Sequence, residues 1–345
     1  MGRIKMINPF EKKVAPKEDA PPSSTFQVLS NESKVVQEAV VTKLAIGHKV
    51  PTGKRFSPEN MRAWMEKSKK TKKSSICALM IGQPKIGKSG VLLDCLTDEQ
   101  IAAGKKLIIF ELNSDNGCDV NKKEFHNEND NIIVLNPSED SSMYIPDKEG
   151  NLQLDYIAVM AQIKATIQTI KQDIENGDDT IQAIGFDGLD IFLTEVCESQ
   201  MRMEEHIDAA GGVAMRYWKN RNKYYYDVIN MLLSIDVDKY FITHYAPRSR
   251  DDKTGQYNDK RTVSKLNESL VYACQKSTTD KMHQIIEFDD RTQIVKGKKQ
   301  VKIIATMVAD RRSLNSYMDN LIIAETGPDG KVKWNGKAVL TKPWS

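Results

Sequence analysis

The chain has 345 residues, 40% hydrophobic and 28% charged, a balance that suits a globular protein with a substantial core. Fifty Lys and Arg against 47 Asp and Glu give a formal net charge of +3, too near balance to signal nucleic-acid binding by itself, so placement of charge carries the information. No run reaches the 18 consecutive apolar residues of a membrane span, MGRIKMINPFEKK is not followed by an apolar signal region, and the five cysteines are scattered without a CxxC pair. The expectation is a protein with no membrane association in a reducing, cytoplasmic setting, without a disulfide framework or zinc site.

Residues 1–73 read as an appendage. The first 23, rich in Lys, Pro and small polar residues, offer too little apolar surface to offset the entropy of ordering, so they are expected to form a flexible basic arm. FQVLS (26–30) has the composition of a short strand. Ser57 followed by Pro58 predicts a helix start, with Met61, Trp64 and Met65 on one side of a helix reaching about Lys70. The run MEKSKKTKK (65–73) places Lys67, Lys69, Lys70, Lys72 and Lys73 within nine residues; it suits a DNA-facing patch and a solvated linker equally.

From residue 74 the pattern becomes regular. ICALMI (76–81), LIIFEL (107–112), NIIVLN (131–136), IQAIGFD (181–187) and KYFITH (239–244) are short apolar runs of the kind found in strands covered on both faces. Between them fall predicted helices over 88–104, 155–175 and 218–234, and a loop over 141–151. In the third helix, Tyr224, Tyr225 and Tyr226 read as packing residues rather than a stacking platform. This alternation predicts an α/β fold with a mostly parallel central sheet. Beyond Gly255, HQIIEFDD (283–290), TQIVKG (292–297) and KIIATMVA (302–309) predict a β-rich, partly antiparallel C-terminal edge, with 326–345 as a tail or edge hairpin.

The chemistry is concentrated in GQPKIGKS, which matches G-x-x-x-x-G-K-[ST] at Gly82, Gly87, Lys88 and Ser89. With the preceding strand and following helix, the segment Gly82, Gln83, Pro84, Lys85, Ile86, Gly87, Lys88, Ser89 and Gly90 is expected to wrap phosphate oxygens with backbone N–H groups. Lys88 would reach the β and γ phosphates of ATP, and the Ser89 hydroxyl would ligate Mg²⁺. Asp187, which closes IQAIGFD, is the expected carboxylate for the metal, with Asp190 a weaker candidate. Glu111 closes the strand after the loop's helix and is the candidate general base, ahead of Asp115 and Asp119. His244, at the end of KYFITH, is placed to sense the γ-phosphate.

The ordered set GQPKIGKS, LIIFEL, AIGFD and YFITH resembles the RecA-like P-loop ATPase core, most closely the small bacteriophage ATPases of single-strand annealing and recombination. The resemblance covers about residues 74–325 and implies a DNA-dependent ATPase with ATP at the interfaces of a homo-oligomeric ring or filament. It implies that Arg311 and Arg312, in TMVADRRS, reach a nucleotide across a subunit boundary. It also implies that the segment after the sensor strand faces single-stranded DNA, with Arg248, Arg250, Lys253, Lys260 and Arg261 on phosphates and Tyr257 on a base. A single-strand-binding or replication protein is a further expected partner. A helicase-like or packaging motor, and an assembly protein that uses nucleotide as glue, are the competing readings. The absence of a lid segment with clustered arginines disfavours small-molecule kinases.

Overall fold

The computed structural model describes residues 57–69, 75–113, 115–147, 149–203, 215–250, 254–257, 261–311 and 320–341. The chain divides into two compact units, Met1–Lys72 and Lys73–Ser345. In the first, the described part is one helix, α1 (Pro58–Lys69). It starts where Ser57 accepts the Asn60 N–H on its hydroxyl at 3.2 Å, and Pro58 supplies a first helical position that has no N–H to satisfy. The predicted arm and the strand expected over 26–30 lie outside the described residues, as does most of the lysine run.

The second unit is a mixed α/β body. Its parallel strands are β1 (Cys77–Ile81), β2 (Lys106–Glu111) and β3 (Ile132–Leu135), joined after a short hairpin, β4 (Tyr144–Pro146) and β5 (Leu152–Leu154), by β6 (Ile181–Asp187) and β7 (Asp238–Thr243). A second small pair, β8 (Tyr245–Pro247) and β9 (Leu270–Tyr272), precedes the sixth parallel strand, β10 (Gln284–Asp290). The exposed hairpin β11 (Gln293–Val295) and β12 (Lys298–Gln300) leads into β13 (Lys302–Asp310), β14 (Leu321–Thr326) and β15 (Val332–Trp334). The nine-stranded sheet runs β15-β14-β13-β10-β1-β7-β6-β2-β3; β10 to β3 are parallel, and β13 to β15 are added antiparallel. The mostly parallel sheet with a β-rich C-terminal edge therefore matches the expectation from periodicity.

The apolar runs form strands because both faces of the sheet are covered. Cys77, Leu79 and Ile81 enter one buried layer while Ala78 and Met80 enter the other, the alternation a pleated strand imposes. The first layer is closed by α5 (Tyr156–Glu175) and α6 (Trp218–Leu233), whose Ile163, Ile167, Tyr225 and Ile229 are buried at helical spacing. Tyr225 is wholly buried, so the tyrosine cluster packs the core as expected. The second layer holds α2 (Lys88–Leu93), with Val91, Leu92 and Leu93 buried. Each such fully buried side chain contributes roughly 1.5–3 kcal/mol.

Two local expectations need correction. The helix predicted over 88–104 is two: α2 ends at Leu93, and α3 (Asp98–Ala102) restarts at Thr97. A capping box forces the restart, since Thr97 Oγ1 accepts the Gln100 N–H at 3.2 Å while Gln100 Oε1 accepts the Thr97 N–H at 2.9 Å. The loop predicted over 141–151 contains the first strand of the β4–β5 hairpin, whose Asp147 turn is held by the Glu149 and Asn151 N–H groups donating to its carboxylate. No helix among the described residues is long and apolar enough to cross a membrane.

Parallel pairing fixes one edge of the sheet as the place where chemistry can converge. Ile81 is the register partner of Thr243, Asp187 of Ile242, and Glu111 of Asp187. The carboxyl ends of β1, β2, β6 and β7 thus lie side by side, with β7 between the strand that leads into GQPKIGKS and the strand that ends in Asp187.

Candidate phosphate-binding site

The loop between β1 and α2 folds tightly because its sequence permits left-handed backbone. Lys85 has φ 64° and Gly87 φ 86°, and Gly87 serves as the cap residue of α2. Gly82 is held by close packing instead: a Cβ there would lie 2.3 Å from Ile86 Cδ1 and 3.2 Å from the Phe288 carbonyl. Ile86 is the buried anchor, and Gln83, Pro84 and Lys85 are exposed. Lys88 is buried, and its ammonium donates to the carbonyls of Gly82 at 3.1 Å and Gln83 at 2.7 Å. Burial lowers its pKa to about 8, with Asp187, Asp190 and Asp115 pulling the other way. The ammonium is thereby fixed against the loop's own backbone, with its charge available to an anion.

This loop forms one wall of a cavity of about 450 Å³. Asn113, Asp115, Gly117, Asn121, Asp187, Ile191 and His244 complete the lining. The buried Asp187 carboxylate accepts the Ser89 hydroxyl at 2.6 Å, the Asn113 side-chain N–H at 2.6 Å and the Cys118 thiol at 3.4 Å. Burial raises its pKa, and the hydrogen bond from Ser89 works against that shift. Gly185 makes the Ser89–Asp187 contact possible, because a Cβ there would stand 2.7 Å from Leu92 and push α2 off β6.

Glu111 is the buried carboxylate beside Asp187. Its Oε1 accepts the backbone N–H of Cys118 at 2.7 Å, while Oε2 has no partner. Burial pushes its pKa to about 7, and the neighbouring Asp187 charge adds to the rise. Donor atoms of Glu111, Cys118 and Asp187 all lie within 4.8 Å of one another. Burial raises the Cys118 thiol as well; sulfur is a soft donor, and the Ser89 and Asp187 oxygens are the pair that suits a hard cation such as Mg²⁺.

His244 follows β7 at the cavity wall, and its Nδ1 lies 2.9 Å from Asp190 Oδ2. Asp190 is thus tied to the candidate sensor rather than to Ser89, and its Oδ1 has no partner. Of the alternative bases, Asp115 lines the cavity, whereas Asp119 pairs with Lys123 at 2.6 Å on α4 (Gly117–Phe125).

The candidate nucleic-acid residues lie along the segment that leaves His244. Arg248 and Arg250 stand 4.0 Å and 4.5 Å from the Tyr257 ring, so that aromatic surface is occupied by cations. Arg261 donates to the Pro247 carbonyl at 3.3 Å. Lys253 and Lys260 lie outside the described residues. Glu287, the register partner of Ile81, anchors this segment: its buried carboxylate accepts Tyr245 and Tyr272 hydroxyls, the Ser264 hydroxyl and the Lys265 N–H at 2.5–2.8 Å. Arg311 follows β13, where Asp310 pairs with Gln284 at the start of β10, at the sheet edge opposite the loop. It forms an ion pair with Asp280 at 3.7 Å. Arg312 lies outside the described residues.

The fold therefore brings together Lys88, Ser89, Glu111, Asp187 and His244, and keeps Arg311 apart from them. Three participants were not singled out by sequence reasoning: Asn113, Cys118 and Glu287. Glu287 had a signal, a lone acid inside the apolar run QIIEF; Asn113, in the loop after β2, and Cys118, in the first turn of α4, belong to no apolar pattern and had none. No protein-family model matches the sequence, and no curated protein aligns with it significantly.

Proposed function

We propose that the chain is a RecA-like ATPase that couples hydrolysis of ATP to single-stranded DNA in phage-type recombination or annealing. The observation that carries the reading is the 2.6 Å hydrogen bond from Ser89, in the phosphate loop, to the buried Asp187, with Glu111 as Asp187's register partner. The reading is supported by the meeting of the GQPKIGKS loop, the Ser89–Asp187 oxygen pair and a carboxylate with one free oxygen at one edge of a parallel sheet.

In this reading the loop's N–H groups and Lys88 bind the β and γ phosphates, and the Gly82 and Gln83 carbonyls orient the ammonium. Ser89 and Asp187 would hold Mg²⁺, which when bound neutralises charge on the phosphate oxygens. Asn113 keeps the second Asp187 oxygen oriented. Glu111 Oε2 accepts a proton from the attacking water as its oxygen bonds to the γ-phosphorus; the bond to the bridging oxygen breaks and ADP leaves. His244 meets the γ-phosphate end, and Asp190 fixes its ring.

Coupling to DNA is supported by Glu287, which ties the basic 245–272 segment to the strand beside β1, next to the loop that would hold ATP. Assembly is supported by the position of Arg311 at the opposite edge, from which it could serve only a nucleotide on another copy. The test is ATP turnover with and without single-stranded DNA, for wild type and for a variant with Arg248, Arg250, Lys260 and Arg261 all replaced by Ala. Stimulation in wild type, its loss in the variant and retained basal turnover are expected, together with a salt dependence of binding shallower by up to about one unit for each phosphate the variant no longer neutralises. Hydrolysis without affinity for any nucleic acid would discard the recombination reading in favour of an assembly ATPase.

A further inference from the structure

We infer that Trp334 forms the base-binding shelf of the nucleotide site and gives it a preference for purine nucleoside triphosphates over bare polyphosphate. The inference rests on the nucleotide reading above and adds a recognition element at the far end of the chain. Ser89 turns toward Asp187, so the γ-phosphate end of a bound ligand faces the carboxylates. Gly87 and Gly90 are three residues apart and share another face of the loop and first helical turn. Against that face lies the six-membered ring of Trp334: a Cβ built on Gly87 would meet it at 2.8 Å, and one on Gly90 at 3.0 Å. Glycine at both positions lets the ring sit directly on the backbone that would hold the α and β phosphates.

The ring is also held in orientation. Its indole N–H donates to Asp94 Oδ2 at 2.7 Å, just past the end of α2, and Asp94 is in turn 3.5 Å from His126. Behind it, α7 (Lys337–Thr341) is pinned by the buried Val339 and by Lys337, which pairs with Asp98 at 2.7 Å. Despite these contacts Trp334 remains 45% exposed. A large aromatic surface held in place at both ends and open to solvent beside a phosphate loop suits stacking of a purine, whose π face is the larger of the two base classes.

Calorimetric titration with a non-hydrolysable ATP analogue, the corresponding CTP analogue and inorganic tripolyphosphate tests this, using wild type, Trp334→Ala and Trp334→Phe. Trp334→Ala should weaken the ATP analogue about ten-fold or more and leave tripolyphosphate unchanged, with Trp334→Phe retaining most of the affinity. Wild type should bind the ATP analogue more tightly than the CTP analogue, and its indole fluorescence should change on binding in a way the Phe variant does not share. Equal ATP-analogue affinity in wild type and Trp334→Ala overturns the inference. So does a parallel loss of ATP analogue and tripolyphosphate, which would make Trp334 a prop for the loop. Tripolyphosphate binding as tight as that of the ATP analogue in wild type overturns it too, while leaving the phosphate loop standing. Binding of neither ligand by wild type overturns both readings.

Discussion

Glu111 shows how one side chain can tie stability to chemistry. Its carboxyl is buried with one oxygen unsatisfied, and its pKa stands at about 7 against an ordinary 4.5. The folded state therefore holds a proton that the unfolded chain has released between those two values, so the stability attached to this group is fully present below about pH 4.5 and is lost as pH rises through about 7. Glu111→Gln, which carries no titratable proton, should gain little stability over wild type at pH 4 and progressively more up to about pH 7, the gap widening by about 1.4 kcal/mol per pH unit between the two pKa values and levelling off above them. Melting curves at several pH values check this; a difference that stays flat from pH 4 to 8 contradicts it. If Glu111 is the base, the same variant should keep its nucleotide affinity and lose roughly 10²- to 10⁴-fold in turnover. Wild-type turnover should also decline about ten-fold per pH unit below about 7, because protonated Oε2 cannot accept the water proton.

At the scale of elements, the approach of α2 to β6 sets the site's geometry. Gly185→Ala would drive a Cβ into Leu92, costing about 1–3 kcal/mol and lengthening the Ser89–Asp187 contact. Turnover should fall further than melting temperature accounts for; a variant that is destabilised yet fully active at low temperature would show that this contact is dispensable. Glu287 makes a second such link. Glu287→Leu strands four buried or half-buried donors and should cost several kcal/mol, whereas Glu287→Gln, which still accepts on one oxygen, should cost less. If DNA stimulates turnover as proposed, the stimulation should weaken in the Gln variant while basal turnover persists, since the segment's tether is loosened and the GQPKIGKS loop is untouched. Strands and long helices were legible because burial writes itself as apolar runs and helical spacing. The break between α2 and α3 was less so, since VLLDCLTDEQIAA keeps its apolar periodicity across a capping box that resides in two polar residues, Thr97 and Gln100. The return of Trp334 onto Gly87 joins residues far apart in sequence, and nothing in KVKWNG marks it.

For the whole molecule, the parallel sheet explains why motif order along the chain becomes adjacency in space: Lys88, Glu111, Asp187 and His244 each sit at or just beyond the carboxyl end of a strand. Arg311 sits at the other edge, bonded to the Asp280 carbonyl and paired with its carboxylate. If copies assemble so that this edge meets a neighbour's loop, Arg311→Ala and Lys88→Ala proteins should each be inactive alone and regain turnover when mixed, as one supplies intact loops and the other intact arginines. Turnover should also rise faster than linearly with protein concentration; a fully active monomer in sedimentation under assay conditions is incompatible with this arrangement. Whether the cavity behind Gly82–Gly90 hydrolyses ATP is decided by phosphate release at saturating Mg²⁺-ATP from wild type and Lys88→Ala at equal concentration. Steady turnover is expected in wild type and none above background in Lys88→Ala, because positioning and charge stabilisation are nearly all a protein supplies to phosphoryl transfer. Equal phosphate release from the two proteins, or none from wild type with and without DNA, would contradict it.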